Sequence, residues 1–204
     1  MRFIFLAFFL FIAQFTYAQY NDYPNTPTLY GEVFGGFVLE SFDEAAPAFG
    51  LEANYHKGRF LYSVRYTFIP KLTSRLKDVI AFVGIPEVVQ ESKTSEFAGL
   101  FGPRWIAKNS SYSVSGGVAV SNRLNVLDPS GREVREKETY LGFPFELNIK
   151  WFRNRTDPRN PSDDDFHNKK PFGAGIGFKI IGNISKHSYV GAAVVFSLGV
   201  HSIH

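Results

Sequence analysis

The 204-residue chain has no cysteine, so no disulfide and no thiolate metal site can hold its fold, and acylation at an N-terminal cysteine is excluded. Beyond its first residues it has no long apolar run, and its mean hydropathy of -0.09 is that of a polar protein. Spanning helices need about 20 consecutive apolar residues and are thereby excluded. Neither sign of charge dominates: 22 Lys and Arg stand against 19 Asp and Glu, a formal charge of +3. The basic residues are scattered among acidic ones, without the basic, aromatic-interleaved run of a nucleic-acid binder, so no nucleic-acid partner is expected.

What the chain does have is aromatic and small: 22 Phe and 10 Tyr beside 18 Gly, a mixture that suits β structure. Its first eighteen residues read as a secretory signal peptide, with Arg2 as the positive n-region, an apolar stretch from Phe3 to Ile12, and Thr16-Tyr17-Ala18 before Gln19. The apolar stretch is too short to anchor the chain across a bilayer. Residues 1–18 are thus a signal peptide, 19–27 an N-terminal extension and 28–204 a single domain. Loss of Arg2 lowers the formal charge to +2, from 21 basic against 19 acidic residues.

Strict alternation, the mark of strands rather than helices, recurs through that domain. In 139–152, Leu141, Phe143, Phe145, Leu147, Ile149 and Trp151 share one face, against Tyr140, Gly142, Pro144, Glu146, Asn148 and Lys150. Residues 172–185 set Phe172, Ala174, Ile176, Phe178 and Ile180 against Gly173, Gly175, Gly177 and Lys179. Residues 188–201 set Val190, Ala192, Val194, Phe196, Leu198 and Val200 against Tyr189, Gly191, Ala193, Ser197 and His201. The same pattern, noisier, runs through 28–40, 45–56, 59–70 and 112–124. In 28–40, Tyr30, Phe34 and Val38 blur the polar face. The poorest segment is 95–108, where Pro103 removes a ladder donor and a bulge or local break is expected.

Eight segments of this length match the ~9 to 11 tilted residues of a transmembrane strand. Tight turns at 56–58, 108–111 and 185–187 make hairpins, and successive hairpins make an up-and-down sheet. Three connections are longer. In 71–94, Leu72, Leu76, Val79, Ile80 and Val83 fall at helical spacing, so a short amphipathic helix ending before Pro86 is expected. Residues 125–138 form a charged loop around Asp128-Pro129-Ser130-Gly131, and 153–171 an irregular loop. With the N-terminus in the periplasm, 71–94 and 125–138 become surface loops, while 153–171 falls on the periplasmic side, where it either docks a partner or stays an idle solvated loop.

Alternation alone does not say which face points inward. A soluble barrel would need a water-facing surface dense in Lys, Glu, Asp and Thr. Here the second face is mostly Gly, Ser and Ala with isolated charges: Glu32, Glu52, Arg65, Arg104, Glu146, Lys150 and Lys179. Small residues and opposite charges suit the narrow lumen of an eight-stranded barrel, which has room for side chains and little else. Trp105, Tyr112, Trp151 and Tyr189 near strand ends suit interfacial girdles. The expected fold is an all-β, eight-stranded antiparallel up-and-down transmembrane β-barrel, with its lumen charges forming a plug of ion pairs rather than a solute path.

The segments Tyr140-Leu141-Gly142-Phe143-Pro144-Phe145-Glu146-Leu147, Gly175-Ile176-Gly177-Phe178 and Tyr189-Val190-Gly191-Ala192-Ala193 resemble strands of small outer-membrane β-barrels of the Bacteroidetes type, whose gross plan is similar to the OmpA and OmpX barrels. The resemblance covers nearly the whole domain as a pattern. It implies an outer-membrane location with outer-membrane lipid as surroundings, and a group of which many members carry no assigned activity. One departure is the C-terminal Ser202-Ile203-His204 in place of a terminal aromatic, with Phe196 and Leu198 as substitutes.

No catalytic, metal or cofactor site emerges. His187-Ser188 and His201-Ser202 are sequence neighbours, which in a strand point to opposite faces and make poor dyads. Asp163-Asp164-Asp165 lacks the alternating ligands and glycine of a calcium loop. A structural or interaction barrel acting through its loops is the expected function, with an unknown periplasmic or surface protein partner. A lipid-modifying envelope enzyme and a soluble lipocalin-like ligand-binding barrel stand as alternatives.

Overall fold

The computed structural model describes residues 27–40, 44–80, 83–107, 110–127, 133–152 and 172–200. The signal-peptide segment 1–18, the loop 153–171 with its three aspartates, and His201, Ser202 and His204 lie outside these residues. Eight strands follow one another: β1 (Thr28–Glu40), β2 (Glu44–Lys57), β3 (Phe60–Ile80), β4 (Val83–Ile106), β5 (Ser110–Leu127), β6 (Glu133–Phe152), β7 (Phe172–Ser185) and β8 (Tyr189–Val200). Each pairs antiparallel with its neighbour in sequence, and β1 closes on β8, giving an all-β closed barrel.

The register fixes the geometry of closure. A walk along paired residues from Leu29 through Tyr55, Tyr62, Phe101, Gly116, Phe145, Gly182 and Val190 returns to β1 at Leu39. With ~3.3 Å per residue and ~4.8 Å between strands, that offset tilts the strands by about 40°, within the range of closed barrels.

Because side chains alternate, closure sorts the residues into an outer and an inner set. Outside lie the large apolar residues: Leu141 is 76% exposed, Phe37 69% and Phe143 68%. Inside lie Glu32, Glu52, Arg65, Glu96, Arg104, Glu146, Lys150 and Lys179, all buried. A soluble lipocalin-like barrel has the opposite arrangement. Tyr30, Phe34 and Val38, which made both faces of β1 apolar, point inward. Phe34 and Val38 join Ala46, Ala48, Ile69, Ile181, Tyr189, Ala193 and Val195 in an apolar cluster beside the charges.

Two expectations need correction. The described residues of 71–94 form no helix: β3 and β4 continue as one hairpin to the pair Ile80↔Val83, with register shifts between Lys71 and Leu72 and between Lys77 and Val79. Those irregularities break the period of two and leave apolar residues at spacings that mimic a helix. Extending an existing ladder adds paired residues one by one, whereas a short isolated helix must first form a costly nucleus. Likewise 125–138 is strand at both ends, since β5 runs to Leu127 and β6 begins at Glu133, while the turn signal Asp128-Pro129-Ser130-Gly131 lies outside the described residues. At Pro103 pairing with β5 lapses after Phe101↔Gly116 and resumes at Arg104↔Ser113 in unchanged register, so the ladder breaks without an inserted residue.

The barrel is consequently lopsided. β1, β2, β7 and β8 have 13, 14, 14 and 12 residues, whereas β3 to β6 have 21, 24, 18 and 20. The four long strands project beyond the rim at the end bearing the β1–β2 connection.

Candidate functional site: the charged lumen

All seven lumen residues singled out in the sequence lie on the buried face, and six of them join one column of contacts. Near the end bearing the β7–β8 turn, Arg65 Nη2 donates to Glu96 Oε1 at 3.0 Å, while its Nη1 donates to Glu146 Oε2 at 3.2 Å. Lys179 then ties three carboxylates together, with Nζ at 3.1 Å from Glu146 Oε1, 2.8 Å from Glu32 Oε2 and 2.7 Å from Glu52 Oε2. Lys150 pairs with Glu32 on its other oxygen and donates to the Tyr30 hydroxyl at 3.0 Å. Anion and cation thus alternate from Glu96 down to Lys150. The seventh residue, Arg104, stands apart: its guanidinium lies over the Tyr30 ring at 4.7 Å and donates to Ser111 Oγ at 3.2 Å.

Strand geometry explains this convergence. Charges on the inward positions of β1, β2, β3, β4, β6 and β7 are carried toward one axis by the tilt, where burial costs several kcal/mol per ion unless partners are at hand. Neutral groups supply further hydrogen bonds. Asn148 Nδ2 donates to Glu146 Oε1 at 3.1 Å, Asn183 Nδ2 to Glu96 Oε2 at 2.6 Å, and the Tyr189 hydroxyl to Glu96 Oε1 at 2.9 Å. Aromatic faces cover the cations, with Lys179 Nζ 4.7 Å from the Phe34 ring centroid and Lys150 Nζ 4.1 Å from that of Tyr30. Gly50 makes room for Phe34, since a Cβ there would meet the ring at 2.2 Å.

Glu32, Glu52 and Glu146 offer carboxylate oxygens within 4.8 Å of one another, a spacing that could suit a metal ion. The Lys179 ammonium bonds all three and occupies the position such an ion would take. Glu96, Asn148 and Asn183 belong to the column but were not among the lumen charges singled out, and Tyr189, expected in an interfacial girdle, instead points inward and is buried against Glu96. Period two would have found Glu96, which shares its face with Arg104 in β4, had that strand not been obscured by Pro103.

A second polar cluster lies at the rim, beyond the apolar belt. Lys186 Nζ and Glu138 Oε1 are 2.5 Å apart, His187 Nε2 is 3.2 Å from Glu138 Oε2, and the His187 and Tyr140 rings lie 5.2 Å apart. Hydrogen bonds from Lys186 and His187 hold the Glu138 carboxyl below its ordinary value of 4.5. Ser188, the neighbour considered for a dyad with His187, instead donates to the Ser185 carbonyl at 2.9 Å and closes the turn. Arg123 and Glu40 pair at 3.2 Å on the same side of the barrel.

No family model and no curated protein sequence matches the chain. Solved structures do. Neisserial surface protein A (NspA) superposes with a TM-score of 0.51 at 7% identity, covering 84% of this chain and 96% of that one. The N-terminal β-barrel domain of OprF from Pseudomonas aeruginosa gives a TM-score of 0.48 at 12% identity, with the same coverages of 84% and 96%. At 7% identity the likeness to NspA concerns the fold alone: a closed, eight-stranded antiparallel barrel.

Proposed function

We propose that this chain is an outer-membrane β-barrel whose lumen is plugged by its own side chains and whose role is structural or interactive, exerted at the projecting strands and rim. The observation that carries the reading is the inversion of the usual arrangement: ions at the axis, and Phe, Leu, Ile and Val around the outside. A belt of exposed Leu141, Phe143, Phe172, Phe178 and Phe196 has no stable place in water, where contiguous apolar patches are rarely larger than a few hundred Å². In a bilayer the same belt is solvated by acyl chains, and closure of β1 on β8 leaves the sheet without a free edge strand.

The plug follows from size. Eight strands enclose a narrow space, and here Arg65, Lys179 and their carboxylates cross it in one layer. The reading predicts that the protein stays with membranes through carbonate extraction and runs faster on gels unboiled than boiled. Release into the carbonate supernatant, with no mobility difference, would overturn it. Orientation is tested by cysteine labelling, since the chain has no native thiol. Lys186→Cys, at the β7–β8 turn, reacts with an impermeant maleimide on whole cells. Lys57→Cys, at the β2–β3 turn on the opposite end, does not.

A further inference from the structure

We propose that the lumen binds a small oxyanion, a phosphate group, beyond the Arg65–Lys179 plug, in the layer around Arg104 and His56 toward the end bearing the β2–β3 turn. The inference starts from charge matching. Every buried glutamate is taken by other cations: Glu96 and Glu146 by Arg65; Glu32, Glu52 and Glu146 by Lys179; Glu32 also by Lys150. Arg104 is 0% exposed, yet among the described residues no carboxylate forms an ion pair with it. Two of its three guanidinium nitrogens, Nε and Nη1, have no hydrogen-bond partner.

A guanidinium cannot shed its proton in a protein, so its burial must be met by a counter-charge or by hydrogen bonds. The Tyr30 ring beneath it supplies a cation–π attraction weaker than the cost of burying an ion. The surroundings add donors. Asn54 Nδ2, and His56 Nε2 in its Nε2–H tautomer, are buried and unpartnered donors, on residues that the β1–β2 register sets opposite Tyr30 and Thr28. Arg104 and Lys150 both lie over the Tyr30 ring, and the register leads from His56 through Leu61 to Gly102, two residues from Arg104, so two cations share this layer. Positive charge with several spare donors and no spare carboxylate selects an anion over a metal ion. Several donors select a ligand with several acceptor oxygens, which favours phosphate over chloride.

The site makes no use of the membrane reading and can be tested on the full chain folded in maltoside micelles. Inorganic phosphate is titrated against chloride at equal ionic strength, and the unfolding midpoint and the arginine Nε–H resonances are followed. The expected result is a saturable rise of the midpoint with phosphate and a shift of one buried arginine resonance. Affinity should fall about tenfold or more in Arg104→Gln, and by a smaller factor in His56→Gln. If Arg104→Gln does not fold, Arg104→Lys and the wild-type resonance shift carry the test. A parallel titration with phosphatidic acid in the same micelles separates the sources: a response to inorganic phosphate marks a free anion, and a response to the lipid alone marks a headgroup. No saturable effect of either, an equal effect of chloride, or an effect untouched in both Arg104→Lys and His56→Gln would overturn the proposal.

Discussion

Glu146 and Glu138 lie on the same strand and the same face, and each bonds to two basic side chains, yet they do different work. Glu146 is 1% exposed and bonded to Arg65, Lys179 and Asn148 at the barrel axis. Glu138, a few residues up β6, meets Lys186 and His187 at the rim, in contact with water. Water screens the rim cluster and would solvate its members if they parted. No such alternative exists at the axis. The lesson is that an ion pair's weight is set by what replaces it when it breaks.

The largest effect should come from breaking the axial side of this comparison at its most connected member. Lys179→Met leaves three clustered carboxylates without their shared cation, and should destabilise the folded barrel by about 3 to 5 kcal/mol in denaturant unfolding. An unchanged midpoint would mean that the lumen ions are not coupled. On the outer face, Leu147→Arg puts a charge in the middle of the apolar belt, and should cost about 2 to 4 kcal/mol in lipid vesicles. The same substitution on a water-facing strand would be nearly neutral, so a neutral result argues against lipid contact. Gly50→Val would drive a Cβ to 2.2 Å from the Phe34 ring, displacing the cover of Lys179. An overpacking cost of about 1 to 3 kcal/mol is expected from the same unfolding curves.

The smallest effect belongs to the rim. Glu138→Gln should leave the unfolding midpoint where it was. Because Glu138 is held below its ordinary value of 4.5, its contribution is complete above that value and is lost as pH falls through the lower, folded one. Hydrogen exchange at the β7–β8 turn should therefore quicken only in acid below about pH 4.5. In Glu138→Gln that acid dependence should vanish; its persistence would assign it to another group.

How far the sequence spoke depended on how regular each strand is. The bounds of β1 and β7 coincide with alternation alone, 28–40 and 172–185. β3 and β4 outran their pattern because two register shifts change its phase, and a phase change in a period of two is indistinguishable by eye from helical spacing. Tyr30, Phe34 and Val38 looked like noise on a polar face because alternation classifies residues by polarity. Buried ions need apolar and aromatic cover as well as partners, and that demand is visible only once the strands close. Arg104 shows the opposite limit: its face was legible, but its lack of a carboxylate depends on contacts between strands far apart in sequence.

The central claim, that the apolar face meets lipid and the polar face meets the axis, is tested most directly by spin labels placed one at a time along β6 from Leu141 to Trp151. The absence of native cysteine makes each label unique. In vesicles, the odd positions should be accessible to oxygen and shielded from a polar nickel reagent, while the even positions should be shielded from both. Odd positions open to the nickel reagent, or the loss of a two-residue period, would contradict the account.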